Sequence, residues 1–173
     1  MQSIQTIRSP ISSIKLQLIL VISVLLAAGQ AWPRQFEDGL SARDRGDYST
    51  AFNTFKQLAS SGDASSQFQL SLLYSAGKGV RVDSAQSLYW LRQAAIRGNA
   101  QAQSNLGVAF NMGRGVPQDP IKAYAWLSLA VTAGDSMAAT NRDVVARKLS
   151  PQQLEQAKGL TTDCQLGNFK PCL

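Results

Sequence analysis

The feature that most restricts this chain is a self-match at an offset of 36 residues. Gly134 falls on Gly98 and then on Gly62, Gly113 and Gly115 fall on Gly77 and Gly79, Val116 on Val80, and Asp119 on Asp83. Trp126 falls on Trp90, Leu127 on Leu91, Leu106 on Leu70, and Phe110 on Tyr74. Coincidences across so many residue types at one spacing reflect order, not composition. A unit this short cannot bury its apolar face alone, so copies must stack and cover one another.

Within each copy the apolar residues recur at three- and four-residue spacing, as Tyr48, Ala51, Phe52, Phe55 and Ala59 do, which is one face of a helix. The pattern predicts helix pairs over 36–45 with 48–61, 64–75 with 83–97, and 100–112 with 119–133. The first pair is joined by a tight link in which Gly46 turns the chain and Asp47 caps the next helix. The other two carry a longer elbow, 76–82 and 113–118. There a first glycine ends the helix in the left-handed conformation and a second permits a further turn. Val80 or Val116 then tucks inward, and Asp83 or Asp119 caps the second helix. Pro120 stands at the first helical position, where its missing N–H costs nothing. Gly62, Gly98 and Gly134 stop each second helix.

The copies run over about 36–62, 63–98 and 99–134, with a partial fourth at 135–149, together filling 32–149. The fourth begins a pair, 137–148, without an elbow. Residues 150–173 form a capping helix and tail, with Ser150 as cap, Pro151 at the first helical position, and Leu154, Ala157 and Leu160 inward. A stacked array needs such an atypical terminal unit, because its outermost face has no neighbour.

The pattern A-x-x-x-L-G-x-x-F/Y-x-x-G-x-G-V-x-x-D-x-x-x-A-x-x-W-L-x-x-A closely resembles the Sel-one-like repeat, a subclass of the tetratricopeptide-type helical repeats, over about residues 36–160. The resemblance implies an all-α fold, a right-handed α-solenoid of stacked antiparallel helix pairs. The third copy fits best. The second departs at Ser71, where the family prefers Gly, and at Ser87, where it prefers Ala, so a looser helix–helix approach is expected there. By resemblance, such proteins are non-enzymatic adaptors or scaffolds, often at the bacterial envelope.

Residues 1–31 read as a secretory signal: Arg8 and Lys15 precede an apolar run at 16–28, and Gly29-Gln30-Ala31 supplies a small-x-small cleavage pattern. Cleavage is expected after Ala31, with an uncleaved membrane anchor as the alternative. A run this short falls below the ~20 apolar residues of a spanning helix, so no stable span is expected in the mature chain. Cys164 and Cys172 are the only cysteines, and in an oxidising compartment they are expected to pair. The basic residues are scattered, which argues against a nucleic-acid footprint.

The chain has no histidine, which removes the commonest general base and the commonest metal ligand. Ser75-Ala76-Gly77-Lys78 matches the S-x-x-K of serine acyl-transfer enzymes, but S-D-N and K-T-G partners are absent and the motif straddles a helix end. G-K-G and G-R-G lack Walker spacing and read as turns. No catalytic, cofactor-binding or metal-binding residue is assigned. Trp90 and Trp126 are expected to bridge neighbouring helices in the core. The alternatives to an adaptor are an envelope hydrolase acting on β-lactam or cell-wall material, and a secreted factor that meets a host.

What remains is surface. Tetratricopeptide-like geometry numbered from the packing position Gly39, Ser71 and Gly107 gives an inward stripe on the first helices. It contains Phe36, Leu40 and Arg43; Phe68, Leu72 and Ser75; Ser104, Val108 and Asn111; and Thr140, Val144 and Arg147. The expected occupant is an extended or helical segment of another envelope protein. The competing expectation is that residues 32–35 fold back over Phe36 and Phe68.

Overall fold

The structure, a computed structural model, describes residues 34–173 except Asn168. The predicted signal and its cleavage site lie outside the described residues. Helix α1 (34–44) is followed by α2 (Tyr48–Ser60), α3 (Ala64–Ala76), α4 (Ser84–Ile96), α5 (Ala100–Met112), α6 (Pro120–Thr132), α7 (Ala138–Ala146) and α8 (Pro151–Leu166). A short 3₁₀ turn, Lys170–Cys172, closes the chain. Among the described residues there is no strand; helices α2 to α7 each pack on their sequence neighbours, and α8 packs on α6. The fold is an all-α solenoid.

Two series of side-chain caps set the helix starts. Asp47, Asp83 and Asp119 accept backbone N–H groups of Thr50, Gln86 and Lys122 at the heads of α2, α4 and α6. Asp63, Asn99 and Asp135 do the same for Ser66, Ala102 and Ala138 at the first helices. This second series follows Gly62, Gly98 and Gly134 directly at the same 36-residue offset, which is the signal that would have revealed it. Each cap contributes about 1 kcal/mol. Ser150 adds a reciprocal pair with Gln153 at the head of α8.

The two elbows are built alike. Gly77 (φ 66°) and Gly113 (φ 70°) end α3 and α5, and the backbone N–H groups of Asp83 and Asp119 donate back to the carbonyls of Tyr74 and Phe110. Val116 is buried, whereas Val80 is half-buried. Helix α7 is shorter than the expected 137–148 because Lys148 and Leu149 tighten to i→i−3 bonds with Val145 and Ala146.

The packing position behaves differently in successive copies. A Cβ on Gly107 would lie 2.7 Å from Leu127 Cγ and 3.1 Å from the Ala123 carbonyl, so α5 and α6 meet where only glycine fits. In the second copy, Ser71 is buried with its hydroxyl turned to the Phe68 carbonyl, and Ser87 donates its hydroxyl to the Ser71 carbonyl at 2.9 Å. The two departures from the family pattern thus form a hydrogen bond between α3 and α4. Adjacent copies are stitched by buried glutamines: Gln67 donates to the Ala59 carbonyl and Gln103 to that of Ala95, both at 3.0 Å.

The C-terminal tail closes the core. Cys164 and Cys172 form a disulfide (Cα–Cα 5.7 Å) that holds the tail against α8. Phe169 stacks on the buried Trp126 with ring centroids 5.7 Å apart, and the Trp126 indole N–H donates to the Cys172 carbonyl at 3.1 Å. Trp90, the counterpart one copy earlier, stays half-buried with Tyr89 edge-on at its flank. Replacing both cysteines with serine is expected to lower stability by about 2–3 kcal/mol for so short a loop. Freed from its tail, Trp126 meets water, so its fluorescence emission should move to the red while the helical circular dichroism is retained.

Candidate functional site

The helices divide the predicted stripe in two. Leu72 (40% exposed) and Val144 (42%) stand on the open face, with Leu40 and Val108 half-buried at the equivalent places. Ser75, Thr140 and Arg147 are exposed, and Arg43 and Asn111 are half-exposed. Phe68 and Ser104, by contrast, are buried, and Phe36 is half-buried with its ring 5.7 Å from that of Phe55. The reason is helical phase. Phe68 and Ser104 stand three residues before Ser71 and Gly107, so they share the face those residues press against the neighbouring helix. Leu72 and Val108 stand one residue after them and rotate out. The open face is therefore an aliphatic ladder, Leu40, Leu72, Val108 and Val144, one rung per copy.

Beside this ladder the elbows form recesses. One, of about 390 Å³, is lined by Arg43, Asp44, Tyr48, Gln69, Leu72 and Lys78 among others. Another, of about 240 Å³, is lined by Ser75, Ser84, Leu88, Leu91, Ala109 and Arg114 among others. Allowing for the four residues missing from the first elbow, Ser75 is the counterpart of Arg43, Ser84 of Tyr48 and Arg114 of Lys78. The same recess thus recurs in successive copies, each between one elbow and the head of the preceding second helix. Sequence reading missed these recesses because each draws its walls from two different copies.

Their electrostatics are lopsided. Cations cluster where the first helices end: Arg43 and Arg45, Lys78 and Arg81, Arg114, then Arg147 and Lys148. Among the described residues only Arg43 of these has a carboxylate partner, Asp44 at 2.8 Å, and it also donates to Gln69. The nearby acids Asp47, Asp83 and Asp119 are committed to helix heads. Hydrogen bonds from Thr50, first from its side chain and then its backbone, hold the Asp47 carboxyl below its usual value. Lys78 lies over the Tyr48 ring, 4.7 Å from its centroid.

Ser75 is at the last turn of α3 and Lys78 beyond its glycine cap, so the S-x-x-K tetrad sits at a helix end, as its sequence context implied. Among the described residues no three or more acids and cysteines gather where a metal ion would sit, and no helix is long and apolar enough to cross a membrane.

The second and third copies share an elbow glycine pair and a tryptophan in the second helix, with Ser71 or Gly107 at the packing position. Residues 64–99 and 100–135 each match the family model described as Sel1 repeat. The chain is a Sel1-repeat protein. Among solved structures it is similar to a protective antigen present in uropathogenic Escherichia coli strains that displays an SLR fold, with 30% identity and a TM-score of 0.72. That match covers 83% of this chain and 32% of the other. It is also similar to a Sel1 repeat protein from Oxalobacter formigenes, with 25% identity and a TM-score of 0.64, covering 74% of this chain and 58% of that one. The chain thus spans about a third of the first relative and over half of the second. No curated protein matches it. The matched Sel1 units contain both elbows, the recess cations Lys78 and Arg114, and two rungs of the ladder, Leu72 and Val108.

Proposed function

We propose that this Sel1-repeat protein is an exported adaptor of the bacterial envelope that holds a segment of a partner protein along its open face. Sel1 repeats serve in general as non-catalytic scaffolds for protein–protein interaction. The observation that carries the finer reading is the ladder Leu40, Leu72, Val108 and Val144. It repeats once per copy, with Leu72 and Val144 exposed and Leu40 and Val108 half-buried against the core. An apolar surface left open and repeated along a stack is where such arrays take ligands. Export is supported by the pattern of residues 1–31 and by the Cys164–Cys172 disulfide, which persists in oxidising compartments.

The expected result for Leu72→Arg with Val144→Arg is at least tenfold weaker association with the partner recovered by crosslinking in intact cells, at unchanged helical circular dichroism. Undiminished association would remove the open face from the reading. A second reading, a factor that meets a host, is favoured by the similarity to a protective antigen. Digestion by protease added to intact cells supports that reading, and protection supports a periplasmic resident.

A further inference from the structure

The ladder leaves unexplained the row of cations on the adjoining edge. Arg45, Lys78, Arg81, Arg114, Arg147 and Lys148 are all exposed, and all follow the end of a first helix. Contacts between copies join these places into one edge. Gly79 lies against the Tyr48 carbonyl at the head of α2, Gly115 faces Leu88 of α4, and Lys148 donates to the Asn111 side chain near the end of α5. Part of the row has a purely structural cause, since a cation at a helix C-terminus complements the partial negative charge there. Arg147, whose guanidinium turns back to the Asp143 carbonyl, fits that cause. Lys78, Arg81 and Arg114 do not, because they lie beyond the left-handed glycine caps of α3 and α5.

The acids of this edge offset the row only in part. Asp44 and Asp143 are paired with Arg43 and Arg142, and Asp47, Asp83 and Asp119 sit on the N–H groups of helix heads. At the chain end, Lys122 donates to the Leu173 carbonyl. The far edge has the opposite balance, with Glu37, Asp38, Asp63 and Asp135 against Arg34 and Arg97. The field thus runs from edge to edge of the stack and turns the elbows toward an anionic body. Among the elbow cations stand two exposed aliphatic side chains, Val82 (64%) and Met112 (52%).

Cations interleaved with open aliphatic carbon suit a lipid surface, whose headgroups meet the charge and whose acyl boundary takes the carbon. The cations are unevenly shared among the elbows. Fluid lipids move to meet them, whereas acids fixed on a folded protein would have to match their spacing. A nucleic acid would leave Val82 and Met112 unmet. Tyr48, the aromatic on this edge, is half-buried beneath Lys78 and offers no open ring for base stacking.

We propose that the elbow edge of the mature chain rests on an anionic phospholipid bilayer, its cations among the headgroups and Val82 and Met112 at the acyl boundary. This goes beyond the adaptor reading and is independent of what the ladder holds. It keeps the chain at a membrane surface without a spanning helix.

The test is cosedimentation of the full mature chain with vesicles of equal parts phosphatidylglycerol and phosphatidylcholine. Binding is expected to be at least tenfold tighter than to phosphatidylcholine alone. Arg81→Glu with Arg114→Glu should weaken it at least tenfold, and Arg81→Gln with Arg114→Gln by less, both at unchanged helical circular dichroism. Lys56→Glu with Arg97→Glu makes the same change in net charge away from the elbows and should leave binding within twofold. Val82→Ser with Met112→Ser should weaken it severalfold with every charge retained. Equal binding to the two kinds of vesicle overturns the proposal. So does an equal loss in the two Glu pairs, which would reflect net charge alone, or no loss in the Ser pair. Tighter binding of polyglutamate or of a single-stranded oligonucleotide than of the anionic vesicles overturns it as well. Crosslinking through Leu72 and Val144 reads the adaptor separately, so either reading can fall while the other stands.

Discussion

Trp126→Ala is expected to lower the unfolding free energy by about 3–5 kcal/mol, the range for truncating a fully buried large aromatic. Trp126 has no exposed surface, and its environment cannot collapse into the gap, because Phe169 and Cys172 are tethered over it by the disulfide. The substitution also leaves the Cys172 carbonyl without its indole donor, a buried acceptor whose loss costs about 1–3 kcal/mol where water cannot replace it. Trp90→Ala, at the equivalent position, should cost about half as much, since Trp90 is only half-buried. Urea denaturation followed by helical circular dichroism checks both. Equal losses at the two positions would mean that the tail is not what seals the C-terminal core.

The second large effect separates two glycines with the same backbone. Gly79 and Gly115 both have φ of 71°. Alanine at either site pays the left-handed penalty of roughly 1–2 kcal/mol. At Gly115 the added methyl would find only Leu88 Cδ2 at 3.8 Å, an ordinary contact. At Gly79 it would run into the main chain of α2, at the Tyr48 carbonyl, which cannot swing aside as a side chain can. Gly79→Ala is therefore expected to cost about 1–3 kcal/mol more than Gly115→Ala, the usual range for overpacking a fitted contact. The difference in urea midpoints at constant slope reads it directly. The second elbow glycine is thus more than a turn residue: in the second copy it is where one repeat lies on the backbone of the repeat before it.

The helix pairs, elbows and second-helix caps were legible because the 36-residue offset aligned residues of special chemistry, glycine, aspartate and tryptophan, whose roles are local. Ser150 and Pro151 likewise announced α8. The first-helix caps Asp63, Asn99 and Asp135 were equally local and open to the same alignment, but the mixed Asp/Asn identity hid them. Phase was harder. Phe68 looks like a groove aromatic by spacing from Leu72, yet its registry with Ser71 turns it inward. The clustering of cations was not legible at all, because Arg45, Lys78, Arg114 and Lys148 are scattered along the chain and meet one edge only when the copies stack. Nor did sequence order show that Phe169 would cover Trp126 and leave the two tryptophans in unlike surroundings.

The central claim is that the open face, and not the outer face of the second helices, holds the partner. A photo-crosslinking amino acid placed singly at Leu72, Val144, Lys56 and Gln152 in the full chain, expressed in its native cells, tests this most directly. Lys56 and Gln152 are exposed on α2 and α8. The account predicts one and the same partner band from Leu72 and Val144 and none from Lys56 or Gln152. A band from Lys56 or Gln152 with nothing from Leu72 and Val144 would contradict it.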